Sequence, residues 1–188
     1  KIVLCTSDLE LDDDLERIAM DEDIYCIRGD SLDVMGRFIS AIDLFEKDFY
    51  EKNVDYIVRC TGDDIILDFE KLDQILASIQ KGMIRKYLSC DELMRGCDFE
   101  IFGATNFRKI YEKLSPNEKL KTEYMSYFFS SNINRTKKKR EYSLDTQKDY
   151  IKVLKLFHDF FPEEFFCSEE INKSENLFKK NKHLIPFI

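Results

Sequence analysis

Two histidines, three prolines and six glycines in 188 residues are few, and the scarcity of histidine removes a class of chemistry at once. His158 and His183 stand far apart, so a histidine-based zinc site has no ligand set to draw on. The six cysteines (Cys5, Cys26, Cys60, Cys90, Cys97 and Cys167) include no CxxC pair answered by a second one, and they sit inside or beside apolar segments. They read as reduced core thiols. No apolar run approaches the roughly 20 residues that cross a bilayer, and no secretory leader opens the chain, which predicts a cytoplasmic protein without a membrane partner.

Positive charge is also in deficit, with 29 Lys and Arg against 37 Asp and Glu and a net charge of −8. Such a surface repels a polyphosphate backbone, so nucleic acid is excluded as a general partner. The one basic stretch, Lys137 to Arg140 with Arg135 before it, reads as a solvated loop. Missing too are GxSxG, HExxH, GxxxxGK[ST] and GxGxxG, and with them the serine hydrolase, zinc protease, P-loop and dinucleotide-dehydrogenase readings. There is no internal repeat and no Pro/Ser-rich linker. One α/β domain over 1–160 with a C-terminal helical tail over 161–188 is the expected organisation.

What is present suffices for a core: 44% of the residues are hydrophobic and 13% aromatic. Apolar, β-branched runs of strand length occur at Ile2 to Cys5, Ile24 to Ile27 and Val54 to Cys60. Between them lie helical spacings, first Leu11, Leu15, Ile18 and Ala19, then Val34, Phe38, Ala41, Ile42 and Phe45. This alternation predicts βαβ crossovers and a mostly parallel sheet with helices on both faces. Downstream, Phe69, Leu72, Ile75, Leu76 and Ile79 predict an inward helix face with Gly82 to end it. Met83 to Leu88 and Cys97 to Phe102 predict strands, Asn106 to Leu114 and Glu118 to Ser130 helices, and Glu141 to Leu144 a short last strand. Thr146 and Asp149 have the spacing of a capped helix start, with the helix running to Phe160. Ser168 to Lys180 predicts a surface helix.

In open α/β sheets ligands gather beyond the carboxyl ends of strands, and those positions are polar here. Thr6-Ser7-Asp8, Arg28-Gly29-Asp30 and Thr61-Gly62-Asp63-Asp64 follow the first three strands. Paired acids at a strand end suit a hard divalent cation such as Mg²⁺, with Asp145 as a second ligand; a turn and helix caps would use the same residues. Arg28 with Gly29 would face a nucleotide or form a surface turn. Arg37 has an intrahelical partner as its alternative. Asp98 and Glu100, at alternate positions of a strand, would bind sugar hydroxyls from a cleft or keep an edge soluble.

Five blocks in this order, Ile2 to Asp8, Arg28-Gly29 with Asp33 to Phe38, Val58 to Asp64, Arg95 to Phe102, and Ser143 to Thr146 with Asp149, resemble the cytidylyltransferase family. That family includes the acylneuraminate cytidylyltransferases and the spore-coat polysaccharide biosynthesis F-like proteins. The resemblance implies a Rossmann-like nucleotidyltransferase fold and transfer of CMP from CTP to a sugar or sugar acid, with Mg²⁺ and release of pyrophosphate. By position it implies Asp63 and Asp145 as catalytic metal ligands, Arg28, Gly29, Asp33 and Arg37 near the nucleotide, and Arg59, Asp98 and Glu100 near the acceptor. It also implies a homodimer. The family opens with a strand and a Gly/Ser/Arg loop ending in Pro-x-Lys, so the chain is expected to be N-terminally incomplete. Ile65 stands where the family has Pro. Two other readings are a non-catalytic nucleotide- or sugar-binding relative and a nucleotide-sugar-dependent glycosyltransferase.

Overall fold

A computed structural model describes residues 1–49, 53–80, 87–89, 97–129 and 143–160. The expected helix from Ser168, the tail over 161–188, the basic stretch at Lys137, the capping glycine Gly82, and Cys90, Arg95 and Cys167 lie outside them. The chain is a mixed α/β protein that divides into two compact units, one of Lys1–Arg59, Met83–Ser89 and Glu100–Asn134, the other of Cys60–Gly82, Cys90–Phe99 and Arg135–Ile188.

In the first unit β1 (Val3–Ser7) and β2 (Tyr25–Gly29) pair in parallel, Val3 opposite Tyr25 and Ser7 opposite Gly29. The helix between them, α1 (Asp13–Asp21), is the crossover that parallel pairing requires. β3 (Tyr56–Arg59) does not extend this pair. It joins an antiparallel sheet with β4 (Tyr87–Ser89) and β5 (Glu100–Gly103) in the order β3-β5-β4. The parallel part of the described sheet structure is thus β1 with β2, and β5 carries the antiparallel part.

In α2 (Val34–Leu44) Ala41 and Ile42 of the predicted stripe are buried, with Phe45 just beyond its end, Val34 and Phe38 are half-buried, and Met35, outside that stripe, is fully buried. A π turn, Phe45–Phe49, follows. α4 (Ala104–Tyr111) adds Ala104 and Phe107, and a 3₁₀ segment, Thr122–Phe128, adds Met125. The helix expected over Glu118 to Ser130 is therefore split. Ser115 and Glu118 form a capping box with Pro116 at its start, opening the short α5 (Pro116–Lys119), and the chain tightens at Thr122, whose hydroxyl donates to the Lys119 carbonyl. Phe102, Phe107 and Phe129 cluster around this core at 4.6 to 5.5 Å between centroids, Phe107 stacked on Phe129 and edge-on to Phe102. The two fully buried rings, Phe102 and Phe107, each contribute about 1.5–3 kcal/mol by leaving water.

α1 departs from expectation. Ala19 is buried, but Leu11, Leu15 and Ile18 are 89, 40 and 54% exposed. Leu11 falls in a 3₁₀ turn, Glu10–Asp12, before the helix. The helix is held through polar residues on another face, Asp13 and Glu16 meeting Arg28 of β2 at 2.7 and 2.8 Å, which turns Ile18 to the far side.

In the second unit α3 (Phe69–Gln80) half-buries Leu72, Ile75, Leu76 and Ile79, while Phe69 is 67% exposed. Phe69 is the first helical residue, one turn short of the packed stripe. α6 (Gln147–Phe160) buries Ile151, Val153 and Leu154. Its start is capped as the spacing predicts, the Asp149 amide donating to Thr146 Oγ1 at 3.3 Å and that hydroxyl donating to Asp149 at 2.7 Å. Of the last strand expected over Glu141 to Leu144, Glu141 and Tyr142 lie outside the described residues, and Ser143 forms an antiparallel bridge with Asp64. Cys5, Cys26 and Cys97 are free thiols. Burial pushes Cys5 up to about 11, so it stays protonated and inert at neutral pH.

Candidate functional site

The parallel register brings the ends of β1 and β2 together, and three small networks organise them. Asp12 Oδ2 accepts from the Thr6 hydroxyl at 2.7 Å and from the Ser7 amide and hydroxyl at 2.9 and 2.5 Å. These donors hold the Asp12 carboxyl below the usual carboxylate range, the Ser7 hydroxyl contributing most. The Asp8 amide donates to the Gly29 carbonyl at 2.8 Å, closing the two strand ends onto each other.

Arg28 is engaged on several sides. Besides its ion pairs with Asp13 and Glu16, its Nε donates to the Ser7 carbonyl at 3.0 Å and one Nη to the Leu9 carbonyl at 2.7 Å. Those contacts keep the loop after β1 against the start of α1.

Asp33 caps α2. Its Oδ1 accepts from the Gly36 amide at 2.9 Å, and its Oδ2 accepts from the Tyr111 hydroxyl at 2.5 Å. Thr122, fully buried, accepts from the Met35 amide at 3.0 Å, so the first turn of α2 is tied to two later segments. Gly36 leaves room for this cap, since a Cβ there would lie 2.6 Å from Asp33 Oδ2 and 2.9 Å from the Tyr111 oxygen. Burial first, and then the hydrogen bond to Asp33, push the Tyr111 phenol up to about 12 from its ordinary 10.0. The fold therefore favours the neutral phenol. Its contribution is present below pH 10 and is lost as pH rises through 12. Melting temperature is expected to fall across that interval and to fall less steeply in Tyr111→Phe; parallel alkaline melts would contradict the linkage.

Arg37 lies one turn into α2 and packs on Gly29, where a Cβ would come within 3.1 Å of Arg37 Cγ. Its Nε is buried and has no hydrogen-bond partner among the described residues. A buried guanidinium N–H without an acceptor costs stability, and an anionic ligand would supply the acceptor. Arg37, Arg28, Gly29 and Asp33 thus share one neighbourhood at the ends of β1 and β2 and the start of α2.

A second polar cluster closes the β3 end of the antiparallel sheet. Arg59 and Glu100 are register partners, and Arg59 Nη1 donates to Glu100 Oε2 at 2.7 Å with both side chains under one-fifth exposed. Tyr87 donates its hydroxyl to Glu100 Oε1 at 2.8 Å. β5 begins at Glu100, so Asp98 precedes the strand rather than sharing its alternation. Asp98 is half-buried and belongs to the second unit.

That second unit holds the acidic turn. Thr61 to Asp64 closes through the Asp64 amide on the Thr61 carbonyl at 3.0 Å, and the Thr61 hydroxyl donates to the Asp64 carboxylate. Gly62 meets nothing within 4 Å on its Cβ side. The Leu144 amide donates to the Asp63 carbonyl at 2.9 Å and the Ser143 hydroxyl to Asp63 Oδ2 at 3.2 Å. Asp63 and Asp145, eighty-two positions apart, are thereby set on adjoining segments, both exposed. Among the described residues no three acids, histidines or cysteines cluster as a metal site. Two carboxylates fit a hard divalent cation that fills its shell with water and substrate phosphate.

A cavity of about 440 Å³ in the first unit is lined by β1, α2 and β3, including Cys5, Phe38, Phe45 and Val58. None of the nine expected site residues borders it, so volume does not find this chemistry. The family model described as Cytidylyltransferase matches residues 1–184. The chain belongs to the cytidylyltransferase family. It is therefore a transferase of cytidylyl groups. A solved cytidylyltransferase structure from Leptospira borgpetersenii serovar Hardjo-bovis (strain JB197) shares the fold, with a TM-score of 0.66 at 24% identity over 96% of this chain and 76% of that one. No curated protein matches significantly. No helix among the described residues is long and apolar enough to cross a membrane.

Three residues of these polar clusters carry no motif. Asp12, Tyr87 and Tyr111 were hidden because each acts through a partner distant in sequence or inside an ordinary acidic run; only Asp12, five residues after Ser7, left a local trace.

Proposed function

We propose that this cytidylyltransferase takes CTP as donor and a sugar or sugar acid as acceptor, giving a CMP-sugar and pyrophosphate for glycan biosynthesis. The observation that supports it best is the joining of the Asp63 turn to the segment that carries Asp145. Asp63 and Asp145 would hold Mg²⁺, which when bound neutralises charge on the phosphates. Arg37 would give its buried Nε–H, which has no partner among the described residues, to an anionic oxygen of the nucleotide. Arg28, Gly29 and Asp33 would keep the backbone beside it in place. Arg59 and Glu100 would receive the acceptor, with the carboxylate taking sugar O–H groups and the guanidinium taking an acidic or hydroxyl oxygen.

In the reaction the acceptor oxygen bonds to the α-phosphorus in line as the bond from that phosphorus to the β-bridging oxygen breaks. Pyrophosphate leaves with that electron pair, and the acceptor's proton passes to water. Positioning and charge neutralisation supply most of the acceleration, since phosphoryl groups need little covalent help. The reading predicts release of pyrophosphate from CTP that requires both a divalent cation and an acceptor sugar. Sugar-nucleotide hydrolysis without pyrophosphate would overturn it.

A further inference from the structure

Tyr87 joins two environments. On one face of the antiparallel sheet, Ile57, Phe102 and Tyr87 are neighbours across the strands, and the next row holds Arg59 and Glu100. The first row is core, with Phe102 fully buried and the Tyr87 ring 5.1 Å from Phe102 and 5.7 Å from Phe129. The second row is polar and partly open. Tyr87 spans them, its ring anchored in the apolar row and its hydroxyl delivered to the polar one.

We propose that Tyr87 is a positioning residue for the acceptor: its hydroxyl fixes the Glu100 carboxylate, which fixes the Arg59 guanidinium. This rests on the reading that Arg59 and Glu100 receive the acceptor. Each Glu100 oxygen has one described side-chain donor, Tyr87 on Oε1 and Arg59 on Oε2. The terminal torsion of a glutamate is broad, so a carboxylate held on one oxygen alone swings, and a guanidinium bound to it swings as well. With both oxygens held, the plane of the carboxylate is set. A guanidinium has five N–H groups, and the bond to Glu100 uses one, so the orientation of the rest decides what oxygen geometry Arg59 can accept. A phenol anchored by its ring holds that orientation with little freedom to lose.

Tyr87→Phe deletes only the hydroxyl and keeps the ring contacts. In the full chain with ¹⁵N-labelled arginine, rotation about the Arg59 Cζ–Nη bonds is expected to be slow in the parent protein and several-fold faster in Tyr87→Phe. With CTP, Mg²⁺ and N-acetylneuraminate as acceptor, acceptor KM is expected to rise about tenfold, the worth of one charge-assisted hydrogen bond. The kcat should stay within about twofold and CTP affinity should not change, while the melting temperature falls by no more than a few degrees for the lost hydrogen bond. Unchanged Arg59 rotation, or a loss of kcat together with melting temperature, overturns the proposal. If the parent protein releases no pyrophosphate from CTP with N-acetylneuraminate or with any of a panel of other sugars and sugar acids, the proposed reaction fails, while Arg59 rotation in the two proteins still decides whether Tyr87 sets the guanidinium.

Discussion

Asp63→Asn is expected to lower CTP-dependent pyrophosphate release by roughly two to three orders of magnitude, the usual cost of losing one charge-stabilising group at a phosphoryl centre. The fold should not notice. Asp63 is exposed, its carbonyl rather than its carboxylate carries the bond to the Leu144 amide, and an asparagine oxygen can still accept from Ser143. Exposed substitutions of this kind stay within about 0.5 kcal/mol. Asp64→Asn is the informative control. Its carboxylate accepts from the Thr61 hydroxyl within the turn, so its loss should loosen the turn and cost less activity than loss of Asp63. Kinetics of the two variants side by side, with melting curves for each, check the assignment. Equal activity in Asp63→Asn and the parent would remove Asp63 from the metal site.

The largest effect on stability is expected at Phe107. It is fully buried, lies 5.4 Å from Phe102, 5.5 Å from Phe129 and 6.1 Å from Phe38, and sits where α4 meets α2 and the antiparallel sheet. Phe107→Ala leaves a cavity walled by rings that cannot all close on it, at a cost of about 3–5 kcal/mol. Urea unfolding followed by far-UV circular dichroism measures it. A change under about 1 kcal/mol would mean that the ring cluster is not the core of the first unit.

The parts legible in the sequence were those written in local pattern. β1, β2 and β3 appeared as apolar runs, α2 as a stripe from Val34 to Phe45, and the start of α6 as Thr146 with Asp149. What stayed hidden depends on pairing at a distance. Nothing local to Glu100 says that β5 runs antiparallel to β3, and nothing local to Leu11 or Ile18 says that Arg28 will draw α1 down by its acidic face. The nucleotide-side residues were named by family pattern, and geometry now separates their kinds of work. Arg28 and Asp33 are occupied by backbone and side-chain partners, whereas Arg37 retains a buried N–H with no hydrogen-bond partner among the described residues. That distinction rests on one hydrogen-bond partner, which a sequence does not display. The acidic turn was legible as a composition, Thr-Gly-Asp-Asp, but its junction with Ser143 and Leu144 required the fold.

The central claim is transfer of CMP from CTP with metal and acceptor, and the direct test is a coupled assay of pyrophosphate release on the purified protein. CTP, ATP, GTP and UTP are each supplied with and without Mg²⁺ and with a panel of sugars and sugar acids. Pyrophosphate formed from CTP alone among the four, only with Mg²⁺ and an acceptor, is the predicted result. Release from another nucleotide in preference to CTP, or CTP turnover indifferent to chelation of the metal, would contradict it.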